Sequence, residues 1–495
     1  MPVADNPAAE RSPPDGAIGD VEQRFQAMHR ASRQEPPLPA AARKDLLRAL
    51  RRVIASERHA FADAIQQDYG ARARNETLMA EIVPALTVVG DAVRRVGSWM
   101  APEPRRTSML FWPARNHIVW QPKGVVLIIS PWNYPVQLTI SPLAAALAAG
   151  NRVIIKPSEE TPATSAILKR SLEGALGAGR VSVATGGPDM AEALCRLPFD
   201  HILFTGSTAV GRKVMAAAAP NLTPVTLELG GKSPAIVHED FDLALAMRRI
   251  LRSKLLNAGQ TCIAPDYALV PRRHVDAFVG LFQETAARFY PRIVDNADYS
   301  AIISQRHYDR ITGLAADARA KGATAIVADP AGELPAGAIG SSNTRKIAPV
   351  VITGVSDEMA VMREEIFGPL LPVVPYDTLD DAVAYVNARP RPLALYYFDT
   401  DRARITDVLA RTVSGGAAVN DTFLHAAQDD LPFGGIGASG MGAYHGRDGF
   451  RTFSHAKGTF RQSRITLTSL LEPPYGRRFR RLIRYAIWRY GGRRN

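Results

Sequence analysis

The stretch Val125-Val-Leu-Ile-Ile129 is a short, continuous apolar run that leads into a loop with two prolines, Pro131-Trp-Asn-Tyr-Pro135. Comparable runs occur at Arg152–Ile155 and His201–Thr205. The helix-like segments that follow these runs are Ser141–Ala149, Pro162–Leu176 and Val210–Ala219. Such runs are typical of strands that are buried on both faces. Their alternation with helices predicts βαβ units and a largely parallel sheet, an α/β fold.

Other parts of the chain carry local patterns of their own. A second α/β stretch runs from Gly230 to about Gly415 and includes the predicted helix Leu243–Ala258. Residues 21–100 have apolar side chains at helical spacing. The runs Met109–Trp112 and His117–Trp120 predict a β-hairpin with a four-residue turn. Residues 1–20 predict a disordered leader, and Pro432–Gly446 predicts a loop.

The composition excludes several classes of protein. The chain has 495 residues, of which 46% are hydrophobic and 22% are charged, as in an average globular protein. It contains no apolar run long enough to cross a membrane and no secretory signal, which predicts a cytoplasmic protein. Two cysteines cannot form a disulfide framework or a cysteine-rich zinc site, and we predict no metal centre.

The net charge of +12 is concentrated in the tail 477–495, which has eight arginines and no acidic residue. Without those eight charges the rest of the chain carries +4, so the charge does not indicate nucleic-acid binding. The apolar residues of the tail share one helical face: Phe479, Leu482, Ile483, Ala486, Ile487 and Tyr490. This face fits either an anionic membrane surface or packing against protein.

Two residues are candidates for covalent and acid–base chemistry. Cys262, in Asn257-Ala-Gly-Gln-Thr-Cys262, follows a helix and a glycine turn that can hold a reactive thiol exposed, although a lone cysteine also fits a small buried hydrophobe. Cys195 fits only the second interpretation. Glu228 lies between two leucines before Gly230-Gly231, which favours a raised pKa and a role as a base. A structural pairing with an arginine is the alternative.

The candidate ligand-binding residues all follow predicted strands. Asn133 in the proline loop can donate its amide to an oxyanion, or can form an Asx turn. Gly206-Ser-Thr-Ala-Val-Gly211 joins a strand to a helix, which suits a pyrophosphate but also a plain tight turn. Lys156 and Glu159 end a strand with groups suited to ribose hydroxyls.

These segments together resemble the aldehyde dehydrogenase superfamily over roughly residues 20–475. The motifs that carry the resemblance are Pro131-Trp-Asn-Tyr-Pro, Lys156-Pro-Ser-Glu, Phe204-Thr-Gly-Ser-Thr-Ala-Val-Gly, Leu227-Glu-Leu-Gly-Gly-Lys-Ser-Pro, Gly259-Gln-Thr-Cys, Glu364-Glu-Ile-Phe-Gly-Pro and Pro432-Phe-Gly-Gly. Asn257–Tyr267 and Gly440–Gly446 are similar to the class 3 branch. Asp68-Tyr-Gly, Leu222–Glu228 and Pro473-Pro-Tyr-Gly are most similar to bacterial coniferyl-aldehyde dehydrogenases.

The resemblance implies oxidation of an aldehyde to its acid with NAD, or NADP, as cofactor. Cys262 is then the nucleophile that forms a thiohemiacetal and a thioester, Asn133 the oxyanion donor and Glu228 the base that activates water. The implied cofactor-binding residues are Trp132, Lys156, Glu159, Gly206, Ser207, Gly211, Leu229, Glu365 and Phe367. The implied substrate is an aromatic, coniferyl-type aldehyde. A medium-chain aliphatic aldehyde, a thiol-esterase activity and a catalytically silent binding protein are the alternatives.

The resemblance also implies a domain plan and a homodimer. The plan assigns 21–105 and 122–229 to a Rossmann-like NAD-binding domain and 230–415 to a catalytic domain. It assigns 106–121 and 416–460 to oligomerisation and bridging segments, with a β-hairpin arm, and 461–495 to a C-terminal segment with the basic tail.

Overall fold

The structure is a computed structural model that describes residues 15–466, 468 and 472–491. Its first part is helical, as the spacing of the apolar side chains predicts. The helices and strands of this part are α1 Asp15–Gln34, α2 Ala40–Tyr69, α3 Arg74–Thr77, α4 Val83–Trp99, β1 Glu103–Arg105 and β2 Arg115–Pro122. A single π-helical turn, Leu78–Ile82, joins α3 to α4.

The predicted disordered leader is wrong for residues 15–20, which form the start of α1. Ile18 and Val21 pack against a buried cluster that includes Phe25 and Met28 of the same helix. This apolar contact extends the helix toward its N-terminus. Residues 1–14 lie outside the described residues.

The predicted hairpin is present, but its first strand is not Met109–Trp112. Residues 109–111 form a 3₁₀ turn, and β2 pairs instead with β1, Glu103 opposite Ile118. Met109 and Trp112 are exposed, so no apolar face holds that run in a sheet. The other edge of β2 pairs with residues 454–461 near the end of the chain.

The predicted alternation of strands and helices is confirmed in the first α/β region. Its elements are β3 Val125–Ile129, α5 Gln137–Ala149, β4 Arg152–Lys156, α6 Pro162–Leu176, β5 Val181–Val183, α7 Pro188–Cys195, β6 His201–Gly206, α8 Thr208–Ala218 and β7 Val225–Leu229. The strands β3, β4, β5, β6 and β7 pair in parallel. All residues of β3 and β4 are buried, which explains their continuous apolar character.

A second α/β region follows and is built on the same plan. Its elements are β8 Pro234–Val237, α9 Leu243–Leu255, β9 Tyr267–Pro271, α10 Val275–Phe289, α11 Gln305–Ala320, β10 Thr324–Val327, β11 Gly340–Ser341, β12 Lys346–Ile347, β13 Val350–Thr353, α12 Ala360–Arg363, β14 Leu370–Tyr376, α13 Leu379–Asn387, β15 Ala394–Phe398, α14 Arg402–Arg411 and β16 Gly416–Val419. Helix α9 ends at Leu255, earlier than the predicted Ala258, because Asn257 and Ala258 adopt left-handed backbone angles.

The last elements complete the sheets. They are β17 Gly440–Met441, α15 Gly446–Thr452, β18 Ser454–Arg461 and α16 Arg477–Tyr490. The strand orders are β17-β7-β6-β3-β4-β5 in the first region, β10-β13-β14-β9-β8-β15-β16 in the second, and β1-β2-β18 in the arm. The predicted loop Pro432–Gly446 therefore contains one short strand, β17, which pairs with β7. Among the described residues, no helix is both long and apolar enough to traverse a lipid bilayer.

Candidate active site

The turn that carries Cys262 is built from backbone conformations that side chains rarely adopt. Asn257 has a φ of 53° and Ala258 one of 50°, and Gly259 follows with a φ of 80°. A Cβ on Gly259 would lie 2.3 Å from the carbonyl oxygen of Gly368. Only glycine fits there, and the turn leaves Cys262 partly exposed as predicted.

The loop with Asn133 lies against this turn. The Asn133 side-chain nitrogen donates a hydrogen bond to the carbonyl oxygen of Gln260 at 3.2 Å. The Asn257 side-chain amide donates in return to the backbone oxygen of Asn133 at 3.1 Å. Two segments more than 120 residues apart are thereby joined, and the amide of Asn133 lies beside the helix-to-strand turn that carries Cys262.

Glu228 lies at the end of β7 and is 1% exposed. The Cys262 thiol and the Thr205 hydroxyl contact its carboxyl group and favour the ionised form, but burial outweighs them and raises the pKa of Glu228 to about 7. Burial also raises the pKa of the Cys262 thiol well above its usual value, and the carboxyl groups of Glu228 and Glu365 add to this. The thiol is therefore protonated at neutral pH in the resting site, with the Glu228 carboxyl group beside it.

The predicted ribose and phosphate residues lie at the carboxyl ends of the first sheet. Lys156 ends β4, and its Nζ lies 2.5 Å from Glu159 Oε2. Gly206 ends β6, and Ser207 caps α8 by accepting a hydrogen bond from the backbone of Val210 at 3.4 Å. Ligands of open α/β sheets bind at this edge, and α8 begins there after its cap Ser207.

Close packing explains the glycines of this segment. A Cβ on Gly211 would lie 2.7 Å from Leu229 Cδ2, and one on Gly206 would lie 2.6 Å from the Phe204 ring. The backbone of α8 can therefore approach β7, where Leu229 is buried. This arrangement fits a flat, phosphate-bearing ligand along the strand ends.

The second region supplies the other wall of the site. A Cβ on Gly230 would lie 2.1 Å from Glu365 Oε2, so the Glu365 carboxyl group lies directly on that glycine. Burial, followed by the charge of Asp266, raises the pKa of Glu365 to about 8. Its Oε1 is buried without a hydrogen-bond partner among the described residues. A buried carboxyl oxygen without a partner at this edge can accept a hydrogen bond from a ribose hydroxyl.

Aromatic rings meet where the two regions join. The rings of Trp132 and Phe367 have centroids 5.3 Å apart and meet edge to face. The His307 ring lies 5.0 Å from Trp132, a contact that the sequence did not predict. Tyr396 donates a hydrogen bond to the backbone of Ile263, next to Cys262, at 2.6 Å. Trp132, Phe367 and His307 thus form an aromatic cluster where the two regions join, and Tyr396 contacts the backbone next to Cys262.

Cys195 is not part of this site. It lies in α7 and is 2% exposed, as predicted for a small buried hydrophobe. Burial raises the pKa of its thiol to about 11. This thiol is therefore neither accessible nor ionised at neutral pH.

Sequence reasoning missed a set of buried polar residues behind the Asn133 loop. They are Tyr69, Arg72, Glu76, Glu81 and Gln260. Charged residues inside an otherwise apolar helical stretch are the signal that was available. Arg72 binds Asn133 and Glu81 binds Val136, each more than 50 positions along the chain, so local spacing could not predict these contacts.

Residues 6–459 match the aldehyde dehydrogenase family. A probable coniferyl aldehyde dehydrogenase of Pseudomonas aeruginosa is 51% identical, with 94% of this chain and 96% of the relative covered. A coniferyl aldehyde dehydrogenase of a Pseudomonas species is 46% identical over 86% of this chain and 87% of the relative. The substrate-bound structure of Staphylococcus aureus AldH superposes with a TM-score of 0.88 at 37% identity, covering 94% of this chain and 99% of that one. The chain belongs to the aldehyde dehydrogenase family and is an enzyme that oxidises aldehydes.

Proposed function

We propose that this enzyme oxidises aromatic, coniferyl-type aldehydes to the corresponding acids through a thioester on Cys262. Two contacts carry the mechanism: the Glu228 carboxyl group interacts with the Cys262 thiol, and the Asn133 amide binds the backbone of Gln260, two residues before Cys262. The substrate class rests on the similarity to coniferyl aldehyde dehydrogenases.

The first step is attack of the Cys262 sulfur on the aldehyde carbon. The thiol proton is lost to solvent, so that Cys262 attacks as the thiolate and Glu228 remains ionised for the later step. The oxyanion that forms is stabilised by the side-chain amide of Asn133 and the backbone N–H of Cys262. Each such donor is worth about 3–4 kcal/mol in related enzymes.

A nicotinamide cofactor, when bound, accepts the hydride that leaves the thiohemiacetal carbon. The residues that hold it are Trp132, Lys156, Glu159, Gly206, Ser207, Gly211, Leu229, Glu365 and Phe367. Lys156 and Glu159 bind the adenosine ribose, and the Glu159 carboxylate disfavours a 2′-phosphate, which favours NAD over NADP. Glu365 binds the nicotinamide ribose.

The last step is hydrolysis of the thioester. Glu228 takes a proton from water as the water attacks the acyl carbon, and the Cys262 sulfur leaves. The contact of the Glu228 carboxyl group with the Cys262 sulfur supports this role, because the acyl carbon is attached to that sulfur.

We further propose a homodimer formed through the arm. Met109, Trp112 and Phe460 are exposed on or next to the β1-β2-β18 sheet, and apolar side chains of this size favour burial against a second subunit. This proposal includes the domain plan. Residues 21–105 and 122–229 form the cofactor domain, residues 230–415 the domain with the catalytic thiol, and residues 106–121 and 416–460 the arm and its bridging segments. Sedimentation velocity of the whole protein distinguishes the dimer from a monomer or a tetramer.

The tail is proposed to contact an anionic membrane surface, with the enzyme otherwise in the cytoplasm. No side chain of α16 is buried, and Ile487 and Trp488 are 65% and 63% exposed. Six arginines and no acidic residue lie in this helix, which complements anionic lipid. We expect the full chain to pellet with vesicles that contain phosphatidylglycerol but not with phosphatidylcholine alone. Equal pelleting of a version that ends at Gly476 contradicts this proposal.

The substrate proposal is tested by nicotinamide reduction, followed by absorbance. Coniferaldehyde, benzaldehyde and octanal are each supplied with NAD and with NADP to the wild type and to Cys262→Ala. We expect the highest kcat/KM with coniferaldehyde and NAD, and no turnover by the variant. Preference for octanal favours the aliphatic alternative, and ester cleavage without cofactor as the main activity favours an esterase. Cofactor binding without turnover of any aldehyde favours a silent fold.

A further inference from the structure

A buried ion pair lies directly behind the loop that carries Asn133. Arg72 Nη2 and Glu81 Oε1 are 3.3 Å apart, and both side chains are completely buried. Glu81 is contributed by the π-helical turn Leu78–Ile82. A buried pair of charges costs desolvation free energy and contributes little net stability, so its presence calls for another role. The chemistry described above uses neither residue.

Both members of the pair bind the backbone of the same loop. Arg72 Nη1 donates to the carbonyl oxygen of Asn133 at 2.8 Å. Glu81 Oε2 accepts from the backbone N–H groups of Val136 at 2.7 Å and Gln137 at 3.3 Å. The pair therefore binds the loop backbone on both sides of Pro135. Bonds to charged groups are the stronger kind of hydrogen bond.

These hydrogen bonds from Arg72 and to Glu81 fix the orientation of the Asn133 side chain. The backbone oxygen of Asn133 also accepts from the Tyr69 hydroxyl at 3.1 Å, and its side-chain nitrogen donates to Gln260 at 3.2 Å. With one N–H of the amide engaged by Gln260, the second N–H is the one left for a substrate oxygen. The two aromatic neighbours of Asn133 hold the guanidinium in place, because Arg72 lies 4.9 Å from the Tyr69 ring and 5.0 Å from the Tyr134 ring.

We propose that Arg72, held by Glu81, is a positioning residue for aldehyde oxidation: it acts through Asn133, whose amide it keeps aimed at the oxyanion. This inference rests on the oxyanion role proposed for Asn133. Misplacing a reacting or stabilising group by about 1 Å can cost about 100-fold in rate, so a group that only holds another can limit turnover.

A double-mutant cycle tests the proposal with coniferaldehyde and NAD. The variants are Arg72→Gln, Asn133→Ala and the combination of both. We expect Arg72→Gln to lower kcat about tenfold or more, with the KM values of aldehyde and NAD within about twofold of the wild type. We expect Asn133→Ala to lower kcat by about 100- to 1,000-fold. The double variant should be no slower than Asn133→Ala alone, because the two residues act through one amide.

Two further variants separate positioning from folding. Arg72→Lys keeps the charge opposite Glu81 but lacks the planar fork, so its kcat should lie between those of the wild type and Arg72→Gln. If Arg72→Gln does not fold, Arg72→Lys takes its place in the double-mutant cycle. Arg74→Gln is the matched control, since Arg74 is an exposed arginine that pairs with Asp63, and its kcat should equal that of the wild type.

The possible results are distinct. Wild-type kcat in folded Arg72→Gln overturns the positioning role. So does a loss in the double variant equal to the product of the two single losses, because that means independent effects. Wild-type kcat in Asn133→Ala refutes the oxyanion role of Asn133 itself, and the inference about Arg72 with it.

Discussion

At the scale of single residues, burial of one carboxyl group controls the pH behaviour of the site. Burial raises the pKa of Glu228 to about 7, and Glu228 must be ionised to accept a proton from water. We therefore expect the rate of thioester hydrolysis to rise with pH through about 7 and to level off above it. Stopped-flow measurement of acyl-enzyme decay between pH 5.5 and pH 9 checks this. A rate that does not change across this range would mean that Glu228 is not the base.

The same shift makes Glu228 a source of instability at high pH. The group binds its proton more tightly in the folded protein than in the unfolded one, where its pKa is near 4.5. The contribution of Glu228 to folding stability therefore falls as pH rises from about 4.5 to 7, and that loss persists above pH 7. Glu228→Gln cannot titrate, so it should be more stable than the wild type at pH 8, by on the order of 1–3 kcal/mol, and show little of this advantage at pH 5.

Thermal denaturation of both proteins at the two pH values measures this difference. Glu192→Gln is the control, because Glu192 is exposed on α7 and pairs with Arg196. The control should not gain stability with pH relative to the wild type. A Glu228→Gln protein that is less stable than the wild type at pH 8 would show that the ionised carboxylate is held by favourable partners.

At the scale of elements, the turn after α9 depends on one glycine. Gly259→Ala places a methyl group against the backbone of Gly368 and forces an alanine to a φ of 80°. Because backbone cannot move aside like a flexible side chain, we expect a loss of stability of about 2 kcal/mol or more and loss of nearly all turnover. Gly280→Ala in α10 is the matched control, since its Cβ meets nothing within 4 Å. It should raise stability by about 0.5–1 kcal/mol. Equal stability and turnover of the two variants would contradict the role of this turn.

The same elements indicate how far local pattern predicts the fold. Apolar runs predicted β3, β4 and β6 because their residues are buried on both faces. The end of α9 was predicted three residues too late, because Asn257 gives up helical geometry for hydrogen bonds to residues far along the chain. The run Met109–Trp112 was wrongly predicted to pair with β2, whose partner is β1, because strand pairing depends on contacts that the local pattern does not contain.

At the scale of the whole molecule, the site is assembled from segments that lie far apart in sequence. Asn133 and Glu228 come from the first α/β region, and Cys262 and Glu365 come from the second. The role of Glu365 was named only through the resemblance to a family. Pattern alone left Glu228 and Cys262 with structural alternatives. Arg72 and Glu81 carry no motif, so only the folded structure reveals that they contact the Asn133 loop.

The tail is a separable part of the molecule. Among the described residues, α16 has no buried side chain, and its backbone hydrogen bonds to flanking residues run only from Arg480 to Gly476 and from Gly491 to Ile487. Truncation at Gly476 should therefore leave kcat/KM for coniferaldehyde and the thermal midpoint unchanged within error. A lower midpoint would mean that the tail packs against protein, in the same chain or in a second subunit.

In the proposed mechanism Cys262 carries the acyl group and Glu228 releases it. Peptide mass spectrometry of Glu228→Gln, quenched after incubation with coniferaldehyde and NAD, tests both parts at once. We predict that the feruloyl adduct accumulates on the peptide with Cys262, together with a burst of about one reduced nicotinamide per active site. An adduct on Cys195, or steady turnover by this variant without any adduct, would contradict the account.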